Sequence, residues 1–219
     1  MRDLILTSDA SGSAMAGKLG LVVLVVDVID FSTSMEAVID SGAAAVYGTG
    51  TDSARPPVDI NPYRIGNLAG LKAVRLGAKV IVVAEPRVGE EEDRRSAVSK
   101  VIGGIEAAGA EVAMVLPNMG AETPKMTDMK GMVIVGATNT GGVAFDAAVT
   151  AGAASVLTGT VARTLKKDGF SSARDSAARA VDEARKMGQG IAIVAASGNS
   201  PEDLLAAEYI YRLVLSEVR

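Results

Sequence analysis

The segment 27–34 reads Asp-Val-Ile-Asp-Phe-Ser-Thr-Ser and carries the most informative polar side chains of the chain. Asp27 directly follows Leu21–Val26, an apolar run that is typical of a buried strand. A carboxylate at the end of such a strand costs several kcal/mol unless it is paired or bound to a cation. We therefore expect Asp27 to bind a metal or a substrate, and we count Asp30 as a second candidate metal ligand.

Ser32 and Thr33 stand at the start of the helix that should follow this strand. Either hydroxyl could cap the helix, with Glu36 completing a capping box. Such a cap requires neither Asp27 nor Asp30, so it explains only part of the segment. Ser32 and Thr33 are therefore also candidate substrate-binding residues, through their main-chain amides.

A second polar turn, Thr-Asn-Thr-Gly-Gly at 138–142, follows another apolar run. Hydroxyl, amide and main-chain donors of this kind can surround an anion. The same residues also make an ordinary helix cap, and they match neither the Walker A pattern nor the dinucleotide fingerprint. The candidate substrate-binding residues here are Thr138, Asn139, Thr140 and Gly141.

Carboxylates also follow two other predicted strands. Ser200 and Pro201 form a strong helix start, and Glu202 and Asp203 come directly after them. These two carboxylates could hold a divalent cation and are candidate catalytic residues; a purely structural role in the helix start is weighed equally. Glu85 and Arg87 stand close to the end of their own strand and are candidate substrate-binding residues. The acidic run that follows them, at 90–93, is expected to be solvated.

Composition narrows the chemistry. The 219 residues contain no histidine and no cysteine, which excludes thiolate chemistry, disulfides and the commonest transition-metal ligands. A metal in this chain would be a hard cation such as Mg²⁺, held by oxygen atoms. The net charge of −4 argues against a nucleic-acid partner.

A recurring pattern defines the elements that must position these residues. Five times a helical stretch ends at Gly and a short Val- and Ile-rich run follows, with the glycines at 42, 77, 109, 152 and 188. Glycine suits the left-handed helix cap, and the runs suit strands buried on both faces. We therefore predict a single α/β domain over 1–219, with three layers and a largely parallel sheet covered by helices on both faces.

Segments 22–47 and 132–157 also resemble each other at an offset of 110 residues, which suggests duplication of a strand–helix–strand unit. Any two such units look similar in an alanine-rich chain, so this alternative stays open. In open α/β sheets, ligands bind beyond the carboxyl ends of the strands. Five polar loops should therefore meet there; they span 27–33, 85–89, 118–123, 138–142 and 197–203.

The longest apolar run is far shorter than the roughly 20 residues that cross a membrane, and the first 16 residues lack the apolar core of a signal peptide. A soluble cytoplasmic protein without a membrane partner is therefore the expectation. The oligomeric state is open, and a homodimer is one option.

The assembled segments resemble the 2-phosphosulfolactate phosphatase family over nearly the whole chain. The family's D-V-L-R-A-S-T-T corresponds to Asp27–Ser34, its G-E-R-G-G to Glu85–Gly89, and its T-T-N-G-T to Thr138–Gly142. Its S-L-E-D-x-L-A-A corresponds to Ser200–Ala207. Four short motifs in the same order are more specific than any one of them.

The resemblance implies a Mg²⁺-dependent phosphatase that converts 2-phosphosulfolactate to sulfolactate and phosphate, a step towards coenzyme M. Mg²⁺ would be held by Asp27 with Glu202 or Asp203. The family's Arg is Asp30 here, so another arginine, Arg87 or Arg64, would have to hold the anion. Two alternatives remain: a phosphatase for a different phosphorylated acid, and a non-catalytic binder of an anionic metabolite.

Overall fold

Two four-stranded parallel sheets form the frame of the chain in a computed structural model that describes residues 3–217. The strands are β1 (Leu4–Ser8), β2 (Val22–Val26), β3 (Ala45–Thr49), β4 (Val80–Ala84), β5 (Val112–Pro117), β6 (Val133–Ala137), β7 (Ser155–Gly159) and β8 (Ile191–Ala195). The helices are α1 (Asp9–Lys18), α2 (Phe31–Asp40), α3 (Pro62–Leu76), α4 (Glu91–Ala97), α5 (Ser99–Ala107), α6 (Gly141–Ala151), α7 (Gly169–Met187) and α8 (Pro201–Glu217). A short 3₁₀ helix, Gly120–Lys125, precedes β6.

Sheet A has the strand order β1-β8-β2-β7, and sheet B has the order β3-β6-β4-β5. All neighbouring strands are parallel, so the predicted α/β class is confirmed. The glycines predicted to end helices, at 42, 77, 109, 152 and 188, all have φ between 63° and 100°. This left-handed conformation is the one that glycine adopts without strain.

Helices cover both faces of each sheet. In β2, Val23 and Val25 pack among the inner helices α1, α2 and α6, while Leu24 packs against α7 and α8. In sheet B, Ile134 of β6 faces the same inner helices, and Val135 faces α3 and α5. Each sheet is thus the centre of a three-layer arrangement, and the two arrangements share the inner helices.

The two segments that resemble each other cross between the sheets in opposite directions. Strand β2 lies in sheet A and leads through α2 to β3 in sheet B, whereas β6 lies in sheet B and leads through α6 to β7 in sheet A. Strand β2 pairs with β7, and β3 pairs with β6. If four is added to each strand number, with β1 counted after β8, the order of sheet A becomes β5-β4-β6-β3, which is the order of sheet B read in reverse. Two halves related by duplication would have this symmetry.

Sequence analysis assigned no element to the first 18 residues, where the structure has β1 and α1. Helix α1 contains Gly12 and Gly17, which weaken intrinsic helix propensity. A Cβ on Gly17 would fall within 2.6 Å of the carbonyl oxygen of Ala148 in α6. Tight packing on α6 therefore explains Gly17, whereas Gly12 is packed against the side chain of Thr7 in β1.

No helix within residues 3–217 combines the length and the apolar character needed to span a membrane.

Close packing of α3 on α5 gives a test of the fold. A Cβ on Gly104 would overlap the carbonyl oxygen of Tyr63, so we expect Gly104→Ala to lower the free energy of unfolding by about 2 kcal/mol or more. At Gly103, the preceding residue of α5, an added Cβ would lie 3.9 Å from its nearest neighbour, the ring of Tyr63. Gly103→Ala should therefore be neutral or stabilise by up to about 1 kcal/mol. Urea unfolding of both variants measures this, and equal effects would contradict the packing of α3 on α5.

Candidate functional site

The loop after β2 is the point where the five predicted polar loops meet. Val28 N donates to Asp203 Oδ1 at 2.8 Å, which brings in the loop after β8. Ser34 Oγ, in the first turn of α2, donates to Asn118 Oδ1, which brings in the loop after β5. Asp30 forms an ion pair with Arg87 of the loop after β4. Thr140 and Gly141, which follow β6, donate hydrogen bonds to Asp27 of this loop.

Asp27 is fully buried and uses only one of its two carboxylate oxygens. Its Oδ2 accepts hydrogen bonds from Gly141 N at 2.9 Å and from Thr140 Oγ1 at 3.1 Å. Its Oδ1 is buried and has no hydrogen-bond partner within residues 3–217. A buried carboxylate oxygen without a partner is costly, so this atom marks a position that favours a proton or a cation.

A second buried carboxylate lies close by. Asp203 belongs to the first turn of α8 and is 3% exposed. Burial, together with the negative charge of Asp203, raises the pKa of Asp27 to about 6, against the hydrogen bonds from Thr140 and Gly141 and the nearby main-chain N–H of Phe31. Burial and the charge of Glu202 also raise the pKa of Asp203. Two neighbouring carboxylates whose pKa values are both raised form a site that is better satisfied by a shared positive charge.

The predicted metal ligands Asp27, Asp30 and Glu202 do not converge. Asp30 is neutralised by Arg87, and Glu202 lines an apolar pocket on the outer side of sheet A. Within residues 3–217, no group of three or more acidic side chains is placed to hold a metal ion. The pair that the structure does bring together is Asp27 with Asp203, because adjacent residues of α8 project in directions about 100° apart.

The turn at 138–142 is closed by its own hydrogen bonds. Gly141 N binds Asp27, and Gly142 N donates to Thr138 Oγ1 at 2.9 Å. Asn139 Oδ1 accepts from Thr51 Oγ1 at 2.8 Å. The expectation that these main-chain amides hold phosphoryl oxygens is therefore not met in this conformation. The carboxylate of Asp27 occupies the anion position at the start of α6.

The hydroxyls of Ser32 and Thr33 have structural partners instead of forming the predicted capping box. Ser32 Oγ donates to the Val25 carbonyl oxygen, and Thr33 Oγ1 to that of Val28, both at 2.8 Å. The residue preceding α2 is Asp30, whose side chain makes no cap bond. The capping box is thus wrong, because α2 begins at Phe31 and Ser32 and Thr33 lie within its first turn.

Of the last two candidates, Glu85 directly follows β4 and is half-buried, and burial raises its pKa. Arg87 is more exposed and pairs with Asp30, so these two residues stand at the same edge as Asp27. The start of α8 is as predicted, with Asp203 N donating to Ser200 Oγ at 3.4 Å.

Sequence analysis gave Glu36 only a capping role and gave Asp146 none, yet both carboxylates are buried. Glu36 accepts from Thr158 Oγ1 and from Arg179 Nη2, each at 2.6 Å. Asp146 accepts from Thr49 Oγ1 at 2.6 Å and Asn61 N at 2.8 Å. The two acids are separated by the 110-residue offset of the repeat, and this spacing is the signal that could have found them.

Comparison with protein-family models gives no match for this chain, and comparison with curated proteins gives none either. The chemistry of the site is therefore inferred from the side chains and contacts that the structure places there. These are the paired carboxylates Asp27 and Asp203, the Asp30–Arg87 ion pair, and hydroxyls that are already hydrogen-bonded.

The raised pKa of Asp27 predicts how stability depends on pH. The folded protein retains this proton up to about pH 6, whereas an unperturbed aspartate has a pKa of 3.8, so Asp27 should reduce the free energy of unfolding as pH rises between those values. Asp27→Asn removes this ionisation, so its free energy of unfolding should fall less between pH 4 and pH 7, by roughly 2 kcal/mol.

Urea unfolding at pH 4, 5, 6 and 7 measures this difference. Asp182→Asn, at a side chain that is 77% exposed on α7, is the control and should follow the wild type. Parallel pH curves for the wild type and Asp27→Asn would contradict the assignment.

Proposed function

We propose that this chain is a magnesium-dependent phosphatase that hydrolyses a small anionic phosphate monoester. The observation that carries the proposal is the unpartnered Oδ1 of Asp27, buried beside Asp203 at the carboxyl ends of the strands. Within residues 3–217, neither Asp27 oxygen has a Lys or Arg partner, so the negative charge of this pair calls for a cation.

The donor set fits Mg²⁺ in composition. Mg²⁺ is commonly bound through one or two carboxylates, with water and substrate phosphate completing its ligands. Sequence analysis offered Glu202 or Asp203 as the partner of Asp27 and counted Asp30 as a further ligand; we assign the role to Asp27 and Asp203. When bound, Mg²⁺ would neutralise phosphoryl oxygens and lower the barrier to displacement of the alcohol.

The protein's own groups would then position the ester. Arg87 is 44% exposed as a side chain, and its planar guanidinium suits a phosphate or sulfonate. Thr140 is exposed and holds Oδ2 of Asp27, which orients the carboxylate. The burial of Asp27 favours a role in holding a cation over nucleophilic attack, because a bulky phosphoryl group needs an accessible oxygen.

The substrate that we propose first is 2-phosphosulfolactate, with sulfolactate and phosphate as products. This choice rests on the four motifs shared with the phosphatase family and on the position of Arg87. The family's Arg is replaced by Asp30, and Arg87 is the cation that meets Asp30. Phosphate esters of other small acids are the alternative substrates.

A non-catalytic binder of an anionic metabolite is the second candidate function. It is favoured by the amides of Gly141 and Gly142, which are engaged within the protein and leave fewer donors for a transition state. Measurable turnover would support the phosphatase, and binding without turnover would support this second function.

The test is phosphate release from 2-phosphosulfolactate and other phosphorylated acids. We expect turnover with Mg²⁺ or Mn²⁺, none in excess chelator, and no restoration by Zn²⁺ alone, since the ligands are oxygen atoms. Asp27→Asn should reduce turnover about 10²-fold or more while the protein stays folded, because an amide holds a cation poorly. Asp182→Asn should keep the wild-type rate. Full turnover without metal would refute the metal requirement, and an unchanged rate per folded Asp27→Asn molecule would make Asp27 purely structural.

The ion pair between Asp30 and Arg87 gives a second test. Asp30→Asn removes the carboxylate that competes for Arg87, so inorganic phosphate should bind about threefold to fivefold more tightly, as expected for a partly exposed ion pair. Calorimetric titration with phosphate measures this change. The double variant Asp30→Asn with Arg87→Gln should lose the gain; if it binds phosphate as tightly as Asp30→Asn, Arg87 does not hold the anion.

A further inference from the structure

An open pocket of about 500 Å³ lies on the outer side of sheet A, beside the candidate site but separate from it. It is bounded by the loops after β2 and β7, the start of α7 and the first turns of α8. The side chains that give it its character are Val28, Val161, Phe170, Leu205, Tyr209 and Glu202. Its volume is in the range of pockets that hold small molecules.

The pocket presents apolar groups to solvent. Phe170 is 68% exposed and Leu205 is 66% exposed. The rings of Phe170 and Tyr209 have centroids 6.2 Å apart and planes inclined at 53°. Adjoining exposed apolar side chains around a concavity are typical of a ligand site. An aromatic or branched aliphatic body fits this lining.

The charge of the pocket lining indicates which polar group the ligand carries. Glu202 is the one charged side chain that lines the pocket within residues 3–217, and it has no ion-pair partner there. A carboxylate without a nearby cation repels phosphate and sulfonate, so the proposed phosphate ester does not suit this pocket. A carboxylate beside two aromatic rings does suit an ammonium group.

We propose that this pocket binds a small molecule with an apolar body and a primary ammonium group. The body packs between Phe170, Leu205 and Tyr209, and the ammonium group pairs with Glu202. The proposal does not depend on phosphatase activity, because none of its contacts involves Asp27, Asp203 or Arg87.

The test compares three probes of similar shape: 2-phenylethylamine, 2-phenylethanol and phenylacetate. Saturation-transfer and titration NMR at pH 7.5 measure their binding to the full chain. We expect the amine to bind most tightly, the alcohol about fivefold more weakly, and phenylacetate weakest. Equal binding of the three probes, or preference for phenylacetate, would overturn the proposal.

Two variants locate the site. Phe170→Ala should weaken the amine about fivefold or more, and the exposure of Phe170 means that the fold should not change. Glu202→Gln should reduce the affinity of the amine to that of the alcohol. The matched controls are Leu71→Ala, at an exposed side chain on α3, and Glu217→Gln, at the last residue of α8, and both should bind like the wild type.

Unchanged amine binding in Phe170→Ala would place the site elsewhere. Sedimentation of the wild type and of Phe170→Ala tests whether a second copy of the chain occupies the pocket instead of a small molecule. A wild-type dimer that dissociates in Phe170→Ala would overturn the small-molecule proposal, and unchanged sedimentation supports it.

Discussion

The carboxylate of Asp27 joins the two sheets of this protein. It directly follows β2 of sheet A, while its hydrogen-bond donors, Thr140 and Gly141, follow β6 of sheet B. The start of α6 favours a negative charge, and full burial opposes it. The resulting pKa of about 6 means that the contact between the sheets and the charge of Asp27 depend on each other. A ligand that binds the charged form must preserve or replace these two hydrogen bonds.

Comparison with the other buried acids of the crossing helices shows why Asp27 is distinctive. Glu36 of α2 and Asp146 of α6 have partners for both oxygens, and one partner of each is a threonine of an edge strand. Such a carboxylate stabilises a crossing helix without needing a ligand. Within residues 3–217, Asp27 has a partner for one oxygen only. Hydrogen-bond satisfaction therefore distinguishes acids that hold the fold from the acid that we propose to be functional.

Glu202 and Asp203 lie in the same helix turn but face two different environments. They are adjacent in sequence, yet Asp203 turns inward to Val28 N and Glu202 lines the apolar pocket. The separation is a consequence of helix geometry, since adjacent side chains project about 100° apart. The proposed cation site and the proposed amine pocket can therefore lie side by side with opposite preferences for charged ligands, because each takes one carboxylate of this pair.

The sequence by itself determined the α/β class, the strands after the glycine caps and the meeting of the polar loops. Those features depend on local periodicity, on the backbone freedom of glycine and on the rule that parallel strands end at one edge. Tertiary structure alone decided that the strands divide into two sheets, that α1 forms despite Gly12 and Gly17, and which acids meet. Hydrogen-bond partners such as Gly141 for Asp27 and Arg87 for Asp30 lie far apart in sequence. Their pairing depends on the direction in which each helix crosses, and local patterns carry no information about that direction.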